Sequence, residues 1–329
     1  MLIREALHAL GRTWRPIYGF TLAVAVLTTL VGGGIVAAGF LVSWGDFEDA
    51  RSDAEYSIAS EDSYTAYADQ MDSLRDVGAV VTVLLLIVAF VVLAVLRAAY
   101  AVAFERALDD DDDDYDRESI GGVGELWAHT RPRIGGALRV QGLIWLLAGG
   151  TAFLGFVLWA AVEVGAVPGV EVTNVGETAT MQYRIVGWSL PIAIAGLGLL
   201  VCLRLSVAAD TLVAKNTSSR VAVRRSWVLT RRARWKTFRI GLPLTAAVVL
   251  VFFLLRYAAA PVAHLLGLGM LRISGDNVWV TGVLVLITPT AVALLLLPLA
   301  ILPPVYSVIA VLHRDLRALR PKTAPQQSR

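Results

Sequence analysis

Only one cysteine, Cys202, occurs in the chain, which excludes an intramolecular disulfide and any cysteine-based structural zinc site. Histidine is nearly as scarce. His8, His129, His264 and His313 are far apart, without the H-E-x-x-H type of spacing that brings two imidazoles to one metal. No glycine-rich phosphate loop is present: GGGIVAAGF at 32–40 and GLGLL at 196–200 both fall inside apolar runs, where small residues let helices approach closely. Ser206 followed by Asp210, or Ser226 among arginines, does not pair a nucleophile with a base. These absences leave no catalytic residue, metal ligand or cofactor site to assign, and the expectation is a protein that is not an enzyme. Charge is sparse as well, at 17% of residues.

What fills the chain instead is apolar surface. Hydrophobic residues make up 57% of the sequence and the mean hydropathy is +0.65, a membrane-protein composition. A helix needs roughly 20 apolar residues to cross a hydrocarbon core of about 30 Å. Six runs meet that length, at approximately 17–42, 77–104, 134–164, 185–213, 238–266 and 278–312. The expected fold is an all-α integral membrane protein with six transmembrane helices in a single polytopic domain covering 1–329. The basic residues before the first run precede a long stretch without a small-residue cleavage pattern, so it reads as a retained span rather than a removed signal peptide. Pro289, Pro298, Pro303 and Pro304 mark the sixth run as the one most prone to bend.

The formal net charge of +2 conceals a segregation that sets the expected topology. Arg4, Arg12 and Arg15 precede the first span, Arg106, Arg117, Arg131, Arg133 and Arg139 lie between the second and third, and Arg314, Arg317, Arg320, Lys322 and Arg329 follow the sixth. The loops on the other side offer only Arg51, Arg75, Arg184 and Arg272. Because cytoplasmic loops retain Lys and Arg, both termini are expected in the cytoplasm and the protein in the cytoplasmic membrane. Residues 43–76 then form an acidic extracytoplasmic loop, 105–133 an acidic cytoplasmic loop and 214–237 a basic cytoplasmic one. The run LDDDDDDYDRE at 108–118 lacks the spaced ligands and turn glycine of an EF-hand and reads as a solvated segment. Tyr64, Tyr67, Met71 and Leu74 recur at helical spacing, which predicts an amphipathic helix leading into the second span.

The most distinctive stretch is AVRRSWVLTRRARWKTFRIGL at 222–242, basic and aromatic with no acidic residue. Basic residues among aromatics suit single-stranded nucleic acid or a lipid headgroup layer. On a helix, Arg220, Arg224, Arg225, Arg231 and Arg232 share one arc and Ala222, Val223, Ser226, Trp227, Leu229 and Ala233 the other, and an apolar span begins directly after Arg239. The membrane interface is therefore the better match, and nucleic acid is not an expected partner. The expected surface for anionic lipid headgroups, or for a membrane or cytoplasmic protein partner, comprises Arg224, Arg225, Trp227, Arg231, Arg232, Arg234, Trp235 and Lys236.

The chain also resembles itself. WAHTR at 127–131 matches WVLTR at 227–231, with Arg139 then in register with Arg239, and VLRAAYAVAF at 95–104 is similar to CLRLSVAADT at 202–211. A weaker first copy, ALHALGRTW, keeps Leu7, Leu10 and Trp14 at helical spacing with Ile3. The expectation is three repeats of an interfacial lead-in helix plus a helical hairpin.

Charges inside spans are functional candidates by default, which singles out Arg97, Arg204 and Asp210. Arg97 and Arg204 each follow about 20 apolar residues, so both are expected near the cytoplasmic boundary with their heads snorkelling to water. RRSWVLTRRARWKTFRIGL, two spans and then VLHRDLRALR resemble the multi-pass membrane domain that precedes the catalytic domain of some glycerophosphodiester phosphodiesterases, and that domain's stand-alone bacterial and archaeal relatives. The likeness covers mainly residues 185–322. It implies a six-span helical bundle; the catalytic domain would be a separate soluble unit that this chain does not contain, so phosphodiesterase activity is not expected to carry over. The expected role is a non-enzymatic membrane scaffold or regulatory partner, with a permease or channel for a small solute as the alternative.

Overall fold

A computed structural model describes residues 2–60, 68–109, 121–170, 180–215, 219–275 and 277–318. Every regular element among these residues is helical: α1 (Leu2–Val42), α2 (Trp44–Ser60), α3 (Ala68–Asp109), α4 (Val123–Thr130), α5 (Ile134–Glu163), α6 (Met181–Tyr183), α7 (Leu190–Arg204), α8 (Ala208–Lys215), α9 (Ser219–Arg232), α10 (Arg234–Ile273), α11 (Val278–Ala300) and α12 (Leu302–Ala318). A π-helical stretch, Arg184–Ser189, joins α6 to α7. Its widened turn is matched by the Ser189 hydroxyl donating to Arg184 O at 3.0 Å, and Pro191, which carries no N–H, stands two residues beyond its end.

Six helices are long and apolar enough to cross a membrane: α1, α3, α4 with α5, α6 with α7, α10 and α11. The architecture is that of an all-α, multi-pass membrane protein. Each of these helices packs against the next in the order α1, α3, α5, α7, α10, α11 and back to α1, which closes a ring in chain order. The α5–α7 and α10–α11 seams are the most extensive and the α7–α10 seam is the thinnest.

The long helices exceed what a bilayer requires. α1 has 41 residues, about 60 Å at 1.5 Å per residue, roughly twice a hydrocarbon thickness. The packed core occupies this excess. Its members include Ala9, Ile17 and Phe20 of α1, Leu96 and Ala99 to Phe104 of α3, Leu126 of α4, Leu205, Leu212 of α8, Ala222 of α9 and Ala310 of α12. Along the spans, by contrast, Leu27, Leu30, Leu86, Phe153, Leu197 and Leu254 are exposed, as suits side chains whose solvent is acyl chain rather than water. Water-driven burial thus concentrates at one end of the ring, where α4, α8, α9 and α12 fill the space between the long helices. The Arg314–Glu5 ion pair, 2.7 Å, joins the beginning and end of the described chain at this end.

Two expected spans are divided. The run at 185–213 leaves its helix at Arg204 and resumes as α8, and the run at 278–312 breaks after Ala300. The second break falls beside Pro303 and Pro304, which cannot donate to the preceding turn. α12 then packs against α1, α3 and α11 and not as a continuation of α11. At the opposite end of the ring, Asn277 Nδ2 donates to Phe47 O at 3.1 Å and Ser73 to Asp46 Oδ2 at 2.8 Å, docking α2 on the neighbouring helices. Tyr64, Tyr67 and most of the acidic run at 108–118 lie outside the described residues; Leu74 lies within α3.

Candidate functional site

The basic end is organised around the C-terminus of α7. A helix ends with carbonyls that have no partner inside it and a partial negative charge. Here they are met by donors from two other elements. Arg97 Nη2 donates to Leu205 O at 2.9 Å and to Ser206 O at 2.6 Å, while Nη1 donates to Gln141 Oε1 at 3.2 Å. From α9, the Ser226 hydroxyl donates to Arg204 O at 2.9 Å, and Thr230 Oγ1 lies 3.1 Å from Arg204 O and 2.8 Å from Ser226 O. The two LR sequences noted above, at Arg97 and Arg204, are therefore joined: the side chain of the first caps the helix that carries the second.

Arg97 does not snorkel. It is 7% exposed, with the guanidinium turned into the protein. No carboxylate among the described residues stands within ion-pair distance of it; its acceptors are one amide and two main-chain carbonyls, and its Nε is buried with no acceptor. Arg204 is half-exposed, with its guanidinium 5.4 Å above the Trp227 ring. Asp210 is half-buried on α8.

α9 divides into two faces. Ala222, Ser226, Leu229 and Thr230 are buried, whereas Arg220, Val221, Arg224, Trp227, Val228 and Arg231 are exposed. Trp227 therefore belongs with the arginines and not with the packed arc on which its spacing put it. Arg225 is half-buried and its Nη1 is enclosed without a hydrogen-bond partner. Beyond the break at Ala233, Trp235 is exposed and stacks on Phe238 at 6.2 Å between ring centroids, while Lys236 pairs with Asp315 of α12 at 2.9 Å. The side chains of Arg232 and Arg234 lie outside the described set.

The WAHTR and WVLTR segments share a local geometry. Trp127 and Trp227 are exposed, and Thr130 and Thr230 are fully buried with hydroxyls that donate four residues back, to Leu126 O and Ser226 O. Each stands on a short helix ahead of a long one. In α1, the segment ALHALGRTW continues into the long apolar run without a break, and Ile3, Leu7 and Trp14 are exposed while Ala6, Ala9 and Thr13 pack inward.

Below the Arg97 layer is a cavity of about 500 Å³ between α3, α5, the end of α7 and α12. Arg97, Gln141, Ser206 and Tyr306 give it polar groups, and Leu93, Ile144, Ala148 and Ile309 supply apolar walls. Gln141 and Tyr306 escaped sequence reasoning because neither stands in a charged or repeated motif. Among the described residues, no cluster of three His, Cys, Asp or Glu side chains could hold a metal ion. No protein-family model, curated protein or solved structure matches this chain.

Proposed function

We propose that the protein is a membrane-embedded scaffold or regulatory partner, without chemistry of its own, whose basic end rests on anionic headgroups and presents a docking face there. In this reading the membrane is the cytoplasmic one and both termini face the cytoplasm, in line with the Lys and Arg distribution. The observation that carries the proposal is the two-faced α9: small residues packed inward and Arg220, Arg224, Trp227 and Arg231 outward, the arrangement of a helix lying in a headgroup layer. The threefold repeat belongs to the same proposal, each unit placing a tryptophan at the interface ahead of a hairpin; the shared settings of Trp127 with Trp227 and of Thr130 with Thr230 support it.

The test replaces Arg220, Arg224 and Arg231 with Gln and measures tryptophan quenching by brominated phosphatidylglycerol and brominated phosphatidylcholine in reconstituted vesicles across a salt series. The parent protein should prefer the anionic lipid several-fold at low salt and lose that preference as salt screens the charges, at about 1 kcal/mol per basic residue near the surface. The variant should show little preference at any salt. Equal preference in both proteins throughout would remove the docking face and leave the arginines as a topology anchor. The permease or channel reading is favoured by one observation, the cavity beside Arg97. Saturable solute flux in proteoliposomes would establish that reading in place of the scaffold.

A further inference from the structure

The cavity beneath Arg97 has a polarity that a bare packing defect would not need. Its charged member lies at one end, and the lining runs along α5 from Gln141 through Ile144 to Ala148 and Gly149, about 12 Å at 1.5 Å per residue. Gln141 is buried at the guanidinium end; Gly149 is exposed at the other. The site is therefore closed around the charge and open along its apolar stretch. The polar end adjoins the packed, basic end of the ring and the apolar end faces the lipid-exposed spans, which is the polarity of a lipid in the adjoining leaflet.

The guanidinium is the second, independent pointer. Arginine stays protonated in proteins, and this buried cation is bonded by neutral acceptors only, the Asp210 carboxylate of α8 standing near Tyr306 of the same cavity without bonding the guanidinium. Arg97 already donates to Gln141, Leu205 O and Ser206 O, but its buried Nε has no acceptor. An anionic oxygen brought by a ligand to the guanidinium would add a charge-assisted partner. A small inorganic anion would leave the apolar length of the cavity unfilled. A neutral amphiphile would bring the guanidinium no charge partner.

We propose that this cavity binds a single-chain amphiphile with an acidic head, the head oxygen resting against the Arg97 guanidinium beside Gln141 and the alkyl chain lying along Ile144, Ala148 and Ile309 toward Gly149. The site is separate from the α9 face and does not depend on that face contacting lipid. Two sources supply the head chemistry, a fatty carboxylate and a phosphate-headed lysolipid.

The experiment uses the full chain in a neutral maltoside detergent, with displacement of the fluorescent fatty acid parinarate by oleate, by oleoyl lysophosphatidate and by oleyl alcohol. Two variants probe the two ends. Arg97→Gln removes the charge. Gly149→Trp fills the open end, where a Cβ meets nothing within 4 Å, and leaves the capping bonds of Arg97 untouched, so it remains informative if Arg97→Gln does not fold. The expected result is at least tenfold tighter binding of one or both acids than of the alcohol, and at least tenfold weaker binding in either folded variant; the tighter acid identifies the source. Saturating ligand should also slow alkylation of Cys202, the sole cysteine, which lines the cavity. Oleyl alcohol binding as well as both acids, parent affinity in Gly149→Trp, absence of binding, or an unchanged Cys202 alkylation rate would each overturn the proposal.

Discussion

At the scale of single residues, the basic end is held by side chains that bond main-chain carbonyls. Ser226 is fully buried and donates to Arg204 O, so Ser226→Ala removes a donor from the α7 C-terminus at nearly unchanged volume, against a gain of about 0.5 kcal/mol in helix propensity. The expected loss is about 1 kcal/mol, read as a lower midpoint in reversible denaturation of the detergent-solubilised protein; an unchanged midpoint would mean that the Thr230 hydroxyl, 3.1 Å from the same oxygen, takes its place. Arg97 shows where sequence reading stopped. That a charge ends an apolar run was visible, and water was the default partner for it. Its actual partners are the carbonyls of Leu205 and Ser206, over a hundred positions away, and a main-chain acceptor leaves no trace in side-chain identity. Trp227 failed differently, because helical spacing put it near the boundary between two arcs and packing decided the side.

At the scale of elements, the α5–α7 hairpin depends on close approach. A Cβ on Gly155 would meet Pro191 O at 2.7 Å, and one on Gly198 would meet the Thr151 hydroxyl and, at 2.9 Å, Ala148 O, so at each glycine a main-chain oxygen that cannot yield stands in the way. Gly198→Leu should therefore part the two helices. The expected effect is a destabilisation of about 1–3 kcal/mol or more by overpacking, read as a lower denaturation midpoint in detergent, whereas the same change at Gly196, where a Cβ meets nothing within 4 Å, should leave the midpoint unlowered. Equal sensitivity at the two glycines would contradict the close approach. GLGLL was legible as a packing motif in general terms, but not which glycine faced α5. Pro303 and Pro304 likewise marked the sixth run as prone to bend, but not the division after Ala300 or the packing of Leu312 and Leu316 of α12 with Leu229 of α9.

At the scale of the whole molecule, six spans and their even number were legible because length and hydropathy decide them, while the order of packing around the ring was not. A lipid-facing leucine and a helix-facing leucine have the same chemistry, so hydrophobic pattern carries little information about which side of a span meets its neighbour. The location of the core was hidden for the same reason: the continuous apolar AAYAVAF at 98–104 reads as more membrane, yet every residue of it is buried in protein. The central claim is that this packed, basic end lies on the cytoplasmic side, with the α2 end outside. Its most direct test is single-cysteine accessibility in intact cells, in a Cys202→Ala background, comparing Ser52→Cys on α2 with Gly121→Cys just ahead of α4, both at exposed positions. A membrane-impermeant maleimide should label Ser52→Cys from outside and reach Gly121→Cys only after permeabilisation. Labelling of Gly121→Cys in intact cells, with Ser52→Cys protected until the membrane is opened, would contradict the account.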